Sequence, residues 1–366
     1  MRVLLDATSL PGHRLGAGQY VLNLARAVAG LDVDLHVMAK EIDAADLAGN
    51  GTVHTTGVRT RPARLLWEQT VLPRRARRLR PDVFHGPHYT LPRALGSPGV
   101  VTFHDPTFFT MPEVHEPAKV AFFTRAARAG VARARRVVAV SGYAARGAIE
   151  HAGADPDRVD VVPLGVDHSR FTPEGDDADA ELRSRAGVHG SYLMWVGALE
   201  PRKDVPTLVR AYAALAAQGL DHSLVLVGPD AWGTADIERA IQRSGVRDRI
   251  LRTGYVSEDT KAALYRGASV VAVPSLAEGF GIPVLEAMAC GCPVVTTTGS
   301  ACEEVGGEAV LLVEPRDAGA LADAIGSVLT DPGVESRLRR AGPTRAAGYT
   351  WERTAQLTVE TYRRAA

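Results

Sequence analysis

Cysteine is scarce in this chain: Cys290, Cys292 and Cys302 are the only three among 366 residues. The number is odd and no pair has C-x-x-C spacing, so neither a disulfide framework nor a zinc site is expected, and the set suits a reducing cytoplasm. Neither sign of charge is in excess, with 42 Lys plus Arg against 42 Asp plus Glu. That balance removes the global field that would argue for a nucleic-acid partner. No apolar run reaches membrane-spanning length, and Met1-Arg2-Val3-Leu4-Leu5-Asp6 enters a strand with no signal peptide before it. A cytoplasmic protein is expected. The spelling D-x-D occurs at Asp32-Val33-Asp34, Asp155-Pro156-Asp157 and Asp177-Ala178-Asp179. The first follows a helix end and the others sit in polar connections, so no bound divalent metal is implied.

What is present is an ordinary globular composition, 46% hydrophobic and 23% charged, at a length that suits two domains better than one core. Short apolar runs alternate with helix-length segments. Strands are expected at Val3–Leu5, Leu35–Met38, Val83–His85, Val100–Phe103, Val137–Val140 and Val159–Val162. A second series is expected at Tyr192–Val196, Leu224–Val227, Ile250–Thr253, Val270–Val273, Val294–Thr297 and Val310–Val313. Helical spacing covers segments between them, such as 18–29, 117–134, 205–217 and 258–267. This alternation predicts an α/β chain of two doubly wound, Rossmann-like domains with parallel sheets, facing each other across a cleft. The polar stretch Pro173-Glu174-Gly175-Asp176-Asp177-Ala178-Asp179 places a linker at about 165–190. Ligands of such sheets bind beyond the carboxyl ends of the strands.

The most informative stretch is Glu278-Gly279-Phe280-Gly281-Ile282-Pro283-Val284-Leu285-Glu286. It follows an apolar strand and opens a helix, with Pro283 in the first turn, where its missing N–H costs nothing. A helix N-terminus behind glycines suits an anion, whereas the flanking carboxylates suit hydroxyls. Phosphate in the middle and hydroxyls at both ends describe a sugar nucleotide. A second signal, Gly197-Ala198-Leu199-Glu200-Pro201-Arg202-Lys203, also lies at a strand's carboxyl end. Adjacent Arg and Lys neutralise a pyrophosphate without a metal; alternatively they are a solvated pair.

The third signal is Leu15-Gly16-Ala17-Gly18-Gln19-Tyr20-Val21, a glycine turn opening a helix. Position 21 is Val where the dinucleotide fingerprint needs a third glycine, which disfavours a dehydrogenase but leaves the backbone N–H groups for a phosphate. His104-Asp105-Pro106 ends another strand, as a site pair or as a structural histidine. His85 and His88 read as cleft or loop residues. Residues 59–80 hold eight arginines against the single acid Glu68, interleaved with Leu65, Leu66, Trp67, Val71 and Leu72. That segment is either a peripheral contact with anionic lipid or an anionic acceptor, or an ordinary solvated helix face. Glu303-Glu304 touch ligand hydroxyls or cap a helix.

Together these residues resemble the family 4 retaining glycosyltransferases of GT-B fold, over nearly the whole chain. The carriers are Glu278 and Glu286 with Ala287-Met288-Ala289-Cys290-Gly291-Cys292-Pro293-Val294-Val295 after them, the loop Gly197–Lys203, His104-Asp105-Pro106, Val140-Ser141 and Val162–Asp167. Tyr349-Thr350-Trp351-Glu352-Arg353 resembles the start of a final helix that crosses back to the first domain. The resemblance implies an acceptor-side domain at 1–170, a nucleotide-sugar domain at 171–348 and a returning helix at 349–366. It implies that Glu286 binds ribose hydroxyls, Glu278 the transferred sugar, and the N–H groups of Gly279, Phe280, Gly281 and Ile282 sugar and phosphate. Arg202 and Lys203 hold the diphosphate beside Gly197, Gly16 and Gly18 approach it, His104 faces the sugar, and Tyr255 and Val256 lie near the base. Where relatives carry Leu-Pro-Glu-Val, this chain has Ala301-Cys302-Glu303-Glu304-Val305, so Glu304 is the safer match to that acid.

The implied reaction moves a hexose from a nucleotide diphosphate to an acceptor hydroxyl on a glycan or glycolipid, with retained configuration, no metal and no cofactor beyond the donor. His104, Arg202, Lys203 and Glu278 are the expected catalytic residues. No carboxylate stands out as a nucleophile, which favours front-face transfer. GDP-mannose is the first choice of donor on the resemblance alone, with UDP-glucose and others open. The rival readings are a nucleotide-sugar epimerase of the same fold, which needs no acceptor, and a non-catalytic sugar-nucleotide-binding protein.

Overall fold

A computed structural model describes residues 1–10 and 16–366, so Leu15 of the first glycine turn lies outside the described residues. The chain forms two compact units. The first comprises Met1–Thr110, Pro117–Gly165 and Thr350–Ala366; the second comprises Met111–Glu116 and Val166–Tyr349.

The first unit is built on seven strands: β1 (Arg2–Asp6), β2 (Asp34–Lys40), β3 (Thr52–Thr56), β4 (Val83–Gly86), β5 (Gly99–Phe103), β6 (Arg136–Ala139) and β7 (Val159–Val161). All pair in parallel, in the order β3-β2-β1-β4-β5-β6-β7. Helices cover both faces of such a sheet, so β4 and β5 are buried along their whole length and are mostly apolar, with His85 and Thr102 as buried polar members. β3 was not expected. Its sequence, Thr-Val-His-Thr-Thr, is β-branched but half-polar, as an edge strand permits.

The second unit has six strands: β8 (Tyr192–Val196), β9 (Ser223–Val227), β10 (Ile250–Gly254), β11 (Val270–Val273), β12 (Val294–Thr297) and β13 (Leu311–Val313). They too are parallel, in the order β10-β9-β8-β11-β12-β13. Both units are therefore α/β and Rossmann-like. Trp195, Leu208, Tyr212, Leu226 and Ile325 are among the residues that fill the core on one face of this sheet.

Two expectations are corrected. The stretch set aside as linker at 165–190 holds the helix Ala178–Arg185, inside the second unit. Its polar look misleads because Asp179 is buried and binds Arg266 through both oxygens, at 2.5 and 2.6 Å. His85 is neither a loop nor a cleft residue. It sits in β4 with no exposed surface, its Nδ1 2.7 Å from the Tyr362 hydroxyl and its Nε2 2.8 Å from Thr102 Oγ1. Burial lowers its pKa to about 3, so the ring is neutral, one nitrogen donating and the other accepting.

Tyr362 belongs to the helix Trp351–Ala365, which packs within the first unit although it follows the second in the chain. Thr350 caps it by accepting from the Arg353 N–H, and Gly165 lets it begin: a Cβ there would stand 2.2 Å from the Trp351 nitrogen. Removing the Tyr362 hydroxyl leaves a buried histidine nitrogen unpaired, which costs about 1–3 kcal/mol. Tyr362→Phe therefore lowers the thermal unfolding midpoint of the first unit, and calorimetry against the parent protein measures it.

Candidate functional site

In the second sheet the strand order reverses between β8 and β11, so the loops leaving those two strands diverge and open a crevice at the carboxyl edge. Both loops carry the residues singled out above. After β8 come Gly197 and a short turn, Pro201–Lys203, followed by Asp204 with φ 45°, which starts the helix Val205–Ala217. After β11 come Ser275, Glu278 and Gly281 (φ 94°), which caps the helix Ile282–Ala289. At Gly281 a side chain is excluded twice over, by the left-handed φ and by Cys302 Sγ, which a Cβ would approach to 2.9 Å.

The two loops are joined through one carboxylate. Arg202 donates from Nη1 to Glu278 Oε2 at 2.8 Å, and Lys203 Nζ donates to Glu278 Oε1 at 2.5 Å. Ser275 Oγ adds a bond to the same Oε1 at 2.6 Å. Arg202 also reaches the Ala277 carbonyl at 2.7 Å and Glu200 at 2.8 Å, while its own carbonyl accepts from the Leu276 N–H at 2.9 Å. Glu278 and Lys203 are 7% and 9% exposed. Burial alone would raise the Glu278 carboxyl, but Arg202, Lys203 and these hydrogen bonds outweigh it and hold the group well below the usual carboxylate range.

Eight positions on, Glu286 is handled differently. Lys261 Nζ donates to its Oε1 at 2.9 Å and the Tyr265 hydroxyl to its Oε2 at 3.1 Å. Burial dominates there, with the Glu258 charge adding to it against the pull of Lys261, and raises the carboxyl. Lys261, Tyr265 and Ser275 were missed in the sequence. Glu258, Lys261 and Tyr265 share one face of the helix Glu258–Gly267, a pattern that hints at a functional face but does not name a partner on another helix. Tyr255 is exposed and Val256 half-buried, just before that helix.

Glu303 resolves as a cap. It accepts from the Gly299 N–H at 2.8 Å while Ser300 accepts from Cys302 N–H, at the start of the helix Ala301–Gly306. In the first unit, Gly16 caps the helix Ala17–Ala29 at φ 45° and Gly18 is buried in its first turn. His104 lies just past β5, its Nε2 2.7 Å from the Pro87 carbonyl and its ring 5.1 Å from that of Tyr20, edge to face. Burial lowers its pKa, so the Nε2–H is the donor and Nδ1 the acceptor. His88 is packed against Tyr89, His104 and Phe123. Among the described residues, no three His, Cys, Asp or Glu side chains gather as they do around a metal ion.

Two family models match the chain, Glycosyltransferase Family 4 over residues 15–170 and Glycosyl transferases group 1 over residues 190–331. The chain belongs to the group 1, family 4 glycosyltransferases. It is 29% identical to an O-antigen chain mannosyltransferase B of Escherichia coli over 77% of this chain and 74% of the relative. It is 33% identical to a D-inositol 3-phosphate glycosyltransferase of Rhodococcus jostii over 64% of this chain, and it spans about half, 54%, of that relative's length. Among solved structures, Anabaena HepE in complex with UDP and glucose aligns over 99% of both chains with a TM-score of 0.78 at 20% identity. Sucrose-phosphate synthase of Thermosynechococcus elongatus aligns over 99% and 98% at 0.79 and 22%. These likenesses establish the GT-B fold.

For this glycosyltransferase the low pKa of Glu278 makes a test of the ion cluster. A carboxylate depressed by folding contributes stability that is complete above its unfolded pKa, about 4.5, and is lost as the pH falls toward the folded value. Glu278→Gln is expected to unfold at a lower temperature than the parent at pH 7. The gap should narrow as the pH drops below about 4.5, read from thermal melts across that range.

Proposed function

We propose that this chain is a retaining hexosyltransferase that transfers a sugar from a nucleotide diphosphate to an acceptor hydroxyl on a glycan or glycolipid, without a metal ion. The observation that carries the reading is the Arg202–Glu278–Lys203 cluster at the carboxyl edge of the second sheet, where the strand order reverses. Two cations beside a helix N-terminus match a diphosphate. Mannose from GDP-mannose is the preferred donor, on the likeness to a mannosyltransferase.

In this reading the diphosphate shares Arg202 and Lys203 with Glu278, which keeps its own bonds to them. The bond from the anomeric carbon to the phosphate oxygen breaks and the bond to the acceptor oxygen forms on the same face. The acceptor's proton passes to the departing phosphate. Both oxygens of Glu278 already accept from strong donors, which makes it a poor nucleophile and favours front-face transfer over a glycosyl-enzyme. Glu278 is then left to meet the sugar's hydroxyls. Glu286, with Lys261 and Tyr265, addresses the ribose, and Tyr255 and Val256 the base. His104 and the Gly16–Gly18 turn serve the same reaction from the first unit. The reading includes a cytoplasmic enzyme with peripheral membrane contact through the arginine-rich helices Arg61–Thr70 and Leu72–Leu79, where Leu66 is 68% exposed. Among the described residues, no helix is long and apolar enough to cross a membrane.

GDP, UDP, ADP and their sugar conjugates, compared by thermal shift, test the donor. A nucleotide at 100 times its Kd adds about 2.7 kcal/mol, and GDP-mannose is expected to give the largest shift. Equal silence from all of them would falsify the donor reading. Arg202→Ala and Lys203→Ala should each lower kcat by about 10²–10³, with circular dichroism unchanged; near-parental rates in both would remove these residues from the diphosphate site.

A further inference from the structure

The arginine-rich segment is not a uniform basic face. Arg75 and Arg77 spend their charge on the carbonyls of Thr55 and Ala94. Arg59, Arg61 and Arg64 instead line, with Lys40, a cavity of about 360 Å³ within the first unit. Lys40 is paired with Asp43 at 3.1 Å and Arg64 with Glu68 at 2.8 Å. Arg59 and Arg61 meet no carboxylate among the described residues, so the wall keeps two uncompensated positive charges.

Three further details shape the site. The Arg61 guanidinium lies 5.5 Å from the Phe122 ring and 5.6 Å from Phe123, so it is held over an aromatic wall of the same cavity. The Nε of Arg64 is buried and has no hydrogen-bond partner, an orphan donor on a side chain only 13% exposed. Glu68, the partner of Arg64, is itself buried, and burial pushes its carboxyl up to about 7 against the pull of Arg64. Thr60 and Thr90 add hydroxyls to the lining.

We propose that this cavity is a binding site for a phosphate group carried by a ring-bearing molecule, the phosphate on Arg59, Arg61 and Arg64 and the ring against Phe122 and Phe123. A dianion matches the two unpaired charges, and three guanidinium groups suit its tetrahedral oxygens better than a single flat carboxylate. The inference rests on the transferase reading only in assigning that molecule the role of acceptor. The phosphate belongs either to a soluble sugar or polyol phosphate or to a lipid headgroup.

The full chain, saturated with GDP to occupy the nucleotide site, is titrated with inorganic phosphate and followed by ³¹P NMR. Saturable binding is expected, weakened by about tenfold or more in Arg59→Ala/Arg61→Ala, since two charge-assisted contacts are lost. The charge-matched Arg74→Ala/Arg78→Ala, on exposed residues that do not line the cavity, should change it less than about twofold, the effect of diffuse charge alone. Sedimentation with phosphatidylinositol vesicles, against phosphatidylcholine, separates the two sources. Retention that falls in Arg59→Ala/Arg61→Ala marks a lipid-borne phosphate, and phosphate binding without retention marks a soluble one. An unchanged titration in Arg59→Ala/Arg61→Ala, or an equal loss in the control pair, overturns the site. Failure of the transferase reading shows separately, as silence from GDP, UDP and ADP alike in the thermal-shift comparison, whereas absence of GDP binding alone rejects only that donor.

Discussion

One buried carboxylate, Glu278, governs the second unit. A negative charge that is 7% exposed is tolerable only with its counter-charges in place, and removing one leaves the rest uncompensated. That requirement fixes the ends of two strands at once: Arg202 and Lys203 leave β8, and Ser275 and Glu278 leave β11. The crevice is thus closed at its base by an ion cluster, and its geometry is set before any ligand arrives. Two cations are thereby held in place by a carboxylate, so the positive charge at the crevice is oriented in advance.

The two acids of the glycine turn show how environment separates like groups. Glu278 has two cations and is held ionised. Glu286 has one cation, one phenol and a nearby acid, and burial lifts it. The same residue type, eight positions apart, offers two different hydrogen-bonding characters to a ligand.

Much of this was legible in the chain. Parallel strands covered on both faces write themselves as apolar runs, and Val270–Val273 and Val294–Thr297 were found for that reason. Glycines at left-handed positions, such as Gly281, mark loops where function gathers. What escaped depends on distance in sequence. Nothing local tells that His85 meets Tyr362, 277 residues away, or that Lys261 reaches Glu286 from another helix. The helix Ala178–Arg185 was hidden because its buried Asp179 looks like linker until Arg266 is seen beside it. The edge strand Thr52–Thr56 was hidden because an edge needs no apolar run. The arginine cluster at 59–80 showed its charge but not its division into spent and unspent residues, which only packing decides.

The helix Trp351–Ala365 gives the chain an order of assembly. A ribosome delivers residues 1–165 first, and their sheet can give His85 Nε2 its Thr102 partner, yet His85 Nδ1 stays unpaired until the segment carrying Tyr362 has emerged. The unit between, residues 166–349, has every strand of its own sheet by then. The half that is made first is therefore the half that is finished last, and it waits through most of synthesis with a polar gap at its centre.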